Sequence, residues 1–156
     1  MTEKPKKIPI NRKSADDLLY RSLRAVYHFE KSLEDRFGLG YQGIYLLQFL
    51  RQRESAIIGE IALTLGIKPF SATRLVQRLV NLGYISKERT EDDRRVVSVK
   101  LEAAGNDFVD AIEAFNYSFI GGKTSELPDK DQEAFIRVAE NIDRVLGVED
   151  RIKEEY

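Results

Sequence analysis

The sequence predicts a mainly α-helical chain with one small β-hairpin, set as a wing beside a helix-turn-helix. Three observations point there. Apolar residues recur at three- and four-residue steps through most of the chain, the period of an amphipathic helix. A short turn, Leu65-Gly-Ile-Lys-Pro69, separates two such patterns and is tight enough to set two helices at a steep angle. Two β-rich runs then flank a polar loop, Thr90-Glu-Asp-Asp-Arg-Arg95, which is the pattern of a hairpin.

The segment from Thr2 to Lys13 carries two prolines and five Lys or Arg residues, and is expected to be a basic flexible arm. Ser14 with Asp17 has the spacing of a helix start, a hydroxyl cap with a carboxylate three residues on. Leu19, Leu23, Val26, Tyr27 and Leu33 form the apolar stripe of that first helix, which stops near Gly38 and Gly40. A second helix is expected over 41–53 with Ile44, Leu47 and Leu50 inward, and a short third over 58–65 ending at Gly66. Pro69 suits the first turn of a fourth helix, which Gly83 closes near Leu82. Strands follow over 84–89 and 96–101. A long helix after Leu101 carries Phe108, Ile112, Phe115 and Phe119 on one stripe, and Gly121-Gly122 interrupts or ends it. A last helix is expected from Asp129, with Gln132 at capping-box spacing and Phe135, Ile142, Val145 and Leu146 buried.

Composition narrows the chemistry. A chain with 42% hydrophobic and 33% charged residues reads as soluble and globular. No apolar run approaches the ~18 residues of a membrane span, and the N-terminus lacks the apolar segment of a signal peptide, so a cytoplasmic location is expected. There is no cysteine and one histidine, His28. That leaves no disulfide, no thiolate-bound metal and no thiol redox sensor, and neither a cofactor nor a metal is expected. The lone histidine has no nucleophile motif around it. Gly121-Gly122-Lys-Thr124 lacks the upstream glycine and preceding strand of a phosphate loop. An enzyme is therefore not expected.

The net charge of −1 hides a split. Residues 1–64 hold 11 basic and 8 acidic side chains, residues 65–100 hold 8 and 4, and residues 101–156 hold 6 and 14. Phosphate affinity depends on where positive charge sits, so the middle segment draws attention. On its second helix Ala72, Leu75, Val76, Leu79 and Leu82 share one face and are expected inward. The opposite face carries Phe70, Ser71, Thr73, Arg74, Gln77, Arg78 and Asn81. Arginine pairs with guanine, glutamine or asparagine with adenine, and hydroxyls with either. An ordinary solvated helix face has a similar composition, and the hairpin beyond it tips the balance toward DNA. Phe70 fits either a thymine-methyl contact or a core position. In the hairpin tip, Arg94 or Arg95 can enter a narrow minor groove, with Asp93 bracing its neighbour. A loop of solvated ion pairs is the plainer alternative.

These motifs resemble those of the multiple-antibiotic-resistance regulator (MarR) family. Ile61-Ala-Leu-Thr-Leu-Gly-Ile67 is similar to the second helix of that family's reading head. Ser71-Ala-Thr-Arg-Leu-Val-Gln-Arg-Leu79 with Gly83-Tyr-Ile85 is similar to its recognition helix and exit, and Asp93-Arg-Arg-Val-Val-Ser-Val-Lys-Leu101 followed by Gly105 to its wing. Two positions depart from the pattern: Glu102 stands where the family usually has threonine, and Ile57 where it often has a hydroxyl residue. The resemblance implies a winged helix-turn-helix regulator of transcription, a ligand-responsive repressor. It would bind double-stranded DNA as a homodimer across a pseudo-palindrome. The implied division is an arm over 1–13, a dimerisation helix over 14–40, the DNA-binding domain over 41–101 and C-terminal dimerisation helices over 102–156. The apolar stripes of the flanking helices, too extensive for one reading head to cover, agree with a dimer. The resemblance also implies a small aromatic or phenolic effector near the first helix, for which Arg24, Tyr27, His28, Tyr41 and Tyr45 are candidates. A surface or helix-packing role is the plainer reading for the histidine, and a core position for Tyr41 and Tyr45. A winged-helix protein–protein module without a DNA site is the alternative function, since fold alone does not fix activity.

Overall fold

The computed structural model describes residues 11–89 and 96–148. The chain divides into two compact units, residues 1–41 and residues 42–156.

The first unit holds α1 (Arg12–Phe37), a helix of 26 residues. Asn11 caps it: its Oδ1 accepts from the Ser14 backbone N–H at 2.9 Å and from Ser14 Oγ at 3.1 Å. The cap expected at Ser14 thus lies three residues earlier, because an asparagine carbonyl satisfies the same orphan donors. The helix ends where Gly38 turns left-handed and donates its N–H to the Glu34 carbonyl. Leu33 is buried, but Leu18, Leu19, Leu23, Val26 and Tyr27 are exposed on the single chain.

The second unit takes in all of α2 (Tyr41–Arg51) but its first residue, and Ile44, Leu46, Leu47 and Leu50 of that helix are almost wholly buried. Then come β1 (Ala56–Ile57), α3 (Ile58–Thr64), α4 (Pro69–Asn81), β2 (Ile85–Arg89) and β3 (Val97–Leu101). The sheet has three antiparallel strands in the order β1-β3-β2. The sequence led us to expect only the hairpin; β1 pairs through Ala56 with Val99 and is too short to show a period. Val99, in the central strand, is fully buried. Ile57 opens α3 without a hydroxyl cap, and the Glu60 carboxylate instead accepts its backbone N–H at 2.9 Å.

The α3–α4 turn runs through Gly66 to Lys68, with the Ile67 N–H donated back to the Ala62 carbonyl and Pro69 opening α4. On α4 the buried stripe is Ala72, Val76 and Leu79. Leu75 is half-buried and Leu82, expected inward, is 47% exposed. Both lie to the same side of that stripe, Leu75 by about 65° and Leu82 by about 90° on a helix of 3.6 residues per turn, and Leu82 stands at the very end, where the chain turns away. Gly83 makes that turn at φ 74°, a conformation glycine adopts without a Cβ penalty. The Tyr84 N–H then bonds the Leu79 carbonyl and leads directly into β2.

The next helix, α5 (Ala103–Thr124), has no side-chain cap at Glu102. Its start is tied down by backbone instead: the Glu102 N–H donates to the Tyr84 carbonyl at 3.0 Å, beside the Tyr84 and Phe108 rings, which meet tilted with centroids 4.8 Å apart. It runs through Gly121-Gly122, contrary to the expected interruption, and closes two residues later. Two glycines cost roughly 2 kcal/mol in helix propensity, which a long cooperative helix absorbs. Arg51 of α2 pairs with Asp110 at 2.8 Å and Glu113 at 3.4 Å of α5.

The expected last helix is two: α6 (Asp129–Ala139) and α7 (Ile142–Leu146). The break falls at Asn141, whose Nδ2 donates to the Arg137 carbonyl at 2.8 Å and so competes with the helical ladder. Pro128, not Asp129, is the N-cap residue; its carbonyl accepts from Asp131 and Gln132. Phe135, Ile142, Val145 and Leu146, expected buried, are exposed on the single chain.

Candidate nucleic-acid interface

The outward face of α4 is built by the same period that buries Ala72, Val76 and Leu79. Phe70, Ser71, Thr73, Arg74, Gln77, Arg78 and Asn81 all lie exposed on it. Phe70 is 71% exposed, which removes the core alternative for that residue. The Arg74 guanidinium lies 5.8 Å from the centroid of its ring, within cation–π range, so the aromatic face steadies the arginine stem. Thr73 Oγ1 donates to the Pro69 carbonyl at 2.9 Å. Its hydroxyl oxygen retains acceptor capacity toward a base or sugar.

Gln77 is held at both ends. Its Nε2 donates to Asn81 Oδ1 at 2.8 Å, and its Oε1 accepts from Lys87 Nζ. Lys87 lies outside the set read from the sequence. It belongs to β2, on the same face as Ile85, whose side chain is buried. Where the strand passes the edge of the core, the inward-facing position becomes lysine and reaches the helix. A period-two count from Ile85 to Lys87 was the available signal.

Among described residues between 65 and 100, six are basic (Lys68, Arg74, Arg78, Lys87, Arg89 and Lys100) and one, Glu88, is acidic. Glu88 is answered by Lys100 at 3.4 Å across the outer face of the ribbon, an exposed pair of small energetic consequence. Among the described residues the positive excess of this segment lies mainly on α4 and β2. Asp93, Arg94 and Arg95 lie outside the described residues, as do residues 1–10 of the expected basic arm.

The effector candidates are divided between the two units. Arg24, Tyr27 and His28 are exposed on α1, with the Tyr27 and His28 rings edge-on at 5.6 Å, and Tyr41 is exposed at the start of α2. Tyr45 is half-buried and lines a recess of about 640 Å³ with Phe49, Arg51, Arg53 and Glu113. The Arg53 guanidinium sits 4.4 Å over the Phe49 ring there.

Residues 28–112 match the family model for the transcriptional regulator SarA/Rot. The chain is 36% identical over 76 residues to the HTH-type transcriptional regulator SarR of Staphylococcus aureus, a match covering 47% of this chain and 66% of that protein's length. In fold it is similar to wild-type MarR of Escherichia coli in its apo form, with a TM-score of 0.70 at 16% identity over 88% of this chain and 98% of the other. It is equally similar to Streptococcus pneumoniae FabT solved in complex with DNA, with a TM-score of 0.70 at 17% identity and the same coverage. The family model and SarR are described as transcriptional regulators and not as enzymes. Among the described residues no helix is long and apolar enough to cross a membrane. The mainly helical chain with its small antiparallel sheet has the winged-helix architecture of the MarR regulators, and it belongs to the SarA/Rot family of transcriptional regulators.

Proposed function

We propose that this chain is a sequence-specific, double-stranded DNA-binding regulator that acts as a homodimer, with α4 of each protomer in a major groove. The single observation that carries the reading is the outward face of α4. Arg74, Gln77 and Arg78 project together from a helix anchored on its opposite side, beside a ribbon of the same charge sign. Such a face pairs arginine with guanine and glutamine with adenine, while lysines on the ribbon meet phosphates. FabT, which shares the fold, was solved with DNA. Arg94 and Arg95 would extend the contact into the minor groove, one inserted and the other paired with Asp93 or a phosphate.

The reading head comprises residues 41–101, and residues 14–40 and 102–156 join two protomers. The support for a second copy is the apolar surface left on α1, α6 and α7 of the single chain. Bound at a promoter, such a dimer in the cytoplasm represses by occlusion. A small aromatic or phenolic anion is the effector class that suits the recess at Tyr45, where Arg53 supplies charge and Phe49 a ring face. It alters DNA affinity only through unequal affinity for two arrangements of the dimer.

The test is selection of a binding site from a random duplex pool, followed by Arg74→Ala on that site and its single-base variants. The substitution is expected to cost about 1–3 kcal/mol and to relax preference at one base pair in each half-site. An Arg74→Ala protein with unchanged affinity for both selected and random duplexes would show that α4 is not the reader.

A further inference from the structure

Within the α4 face, one contact crosses from the sheet to the helix. Lys87 Nζ on β2 donates to Gln77 Oε1, and Gln77 Nε2 donates to Asn81 Oδ1 one helical turn on. We infer that Lys87 is a positioning residue for base reading, fixing which edge of the Gln77 amide meets the DNA; this rests on the assignment of α4 as the reader.

An ammonium has three donors and no acceptor, so it can satisfy only the oxygen end of a glutamine amide. Lys87 thereby removes the freedom of Gln77 to flip its amide. The oxygen points toward the ribbon and the nitrogen along the helix toward Asn81. Each end keeps capacity after these bonds, because a carbonyl oxygen has two lone pairs and an NH₂ has two hydrogens. What Gln77 then offers the groove is one acceptor beside one donor in a fixed order. That is the complement of adenine, which presents the N6 amino group as donor and N7 as acceptor. A flipped amide would offer the pair in reverse order and lose the match at the same backbone placement. The ordering is set before DNA arrives, so no rotamer entropy is spent on it at the moment of binding. Lys87 retains two further donors for a phosphate, which couples backbone contact to base reading.

The effect expected of Lys87 differs from that of a simple phosphate lysine. Loss of a phosphate contact weakens binding to every sequence about equally and lowers the salt slope by about one. Loss of a positioning contact collapses discrimination at one base pair. The experiment compares wild type, Lys87→Met, Lys87→Arg, Gln77→Ala and the Lys87→Met/Gln77→Ala double variant. Each is titrated on the selected duplex and on its three alternatives at the base pair that Gln77→Ala shows to be read. In parallel, the side-chain amide resonances of Gln77 are recorded for the DNA-free proteins.

Wild type is expected to favour adenine by roughly tenfold or more. Lys87→Met should reduce that ratio to near one, Lys87→Arg should keep most of it, and the double variant should discriminate no worse than Gln77→Ala alone. In the DNA-free protein, Lys87→Met should move the Gln77 amide pair toward the position of a solvated glutamine, a change that needs no DNA. If Lys87→Met weakens all four duplexes alike and leaves the ratio and the amide resonances in place, Lys87 contributes charge only and the inference is overturned. If Gln77→Ala itself leaves discrimination intact at every base pair, Gln77 does not read bases and the inference falls with it. A retained Arg74→Ala effect would then show that α4 still reads and that only this residue's role was misassigned.

Discussion

Gly105→Ala is expected to destabilise the chain by about 2–4 kcal/mol. A Cβ built there runs into the Tyr84 carbonyl oxygen and lies 2.7 Å from Leu101 Cδ1. The Leu101 methyl can swing aside, but the backbone carbonyl cannot move cheaply. The Tyr84 carbonyl belongs to the backbone entering β2 and accepts the Glu102 N–H at 3.0 Å. Leu101 ends β3, paired in register with Ile85. Relief requires the start of α5 to lift away, which lengthens that hydrogen bond and separates the Tyr84 and Phe108 rings. Overpacking costs roughly 1–3 kcal/mol and a weakened hydrogen bond about 1 more. For a chain of this length the melting temperature should fall by about 5–15 °C. Gly59→Ala is the control, since nothing lies within 4 Å of its built Cβ and the helix gains up to ~1 kcal/mol. Thermal melts of the two variants that shift alike would remove the close approach at Gly105 from this account.

Replacing Ile142 and Val145 together with aspartate should abolish self-association while leaving the protomer folded. Both side chains are exposed on the single chain, Val145 at 67%, and lie on the short helix α7. Tyr117 on α5, at 84%, and the apolar side chains of α6 are exposed as well. A protomer that leaves this much apolar surface uncovered gains by burying it against a copy of itself, at about 25 cal/mol per Å². Two carboxylates buried without partners in that contact should weaken it by about a thousandfold or more. The reading is the sedimentation-derived mass at micromolar concentration, with helix content followed by circular dichroism. Wild type should sediment as a dimer, and the variant as a folded monomer that has lost tight operator binding. A wild-type chain that is a folded monomer at these concentrations would contradict the proposed assembly.

Much of this molecule was legible because the period of burial is written in side-chain type. Pro69 and Gly83 bracket α4 within a residue, since one supplies the fixed φ of a first turn and the other the left-handed exit. The outward positions of α4 followed from the buried ones. The failures have physical causes of three kinds. Elements too short to show a period were invisible, as with β1 at Ala56–Ile57. Local side-chain bonds moved element ends, so that Asn11 and not Ser14 caps α1, and Asn141 broke a helix that its apolar spacing continued. Burial was assigned from apolarity alone at Phe135, Ile142, Val145 and Leu146, where one chain has nothing to cover them. Lys87 was missed for a related reason: a charged residue on the inward face of a strand reads as an error in alternation until the strand is seen to outrun the core.

One salt titration decides whether the basic face of α4 and the ribbon beside it read duplex DNA. Wild-type protein is titrated against the selected duplex and a random duplex of equal length, with ionic strength varied over the range where both constants are measurable. Affinity for both is expected to fall steeply and linearly on logarithmic axes, the slope counting the phosphates neutralised by both protomers. The selected duplex is expected to bind tighter by about a thousandfold or more at physiological salt. Binding to neither duplex, or binding without salt dependence and without preference between them, would contradict DNA reading by this face and leave the winged helix as a surface for protein partners.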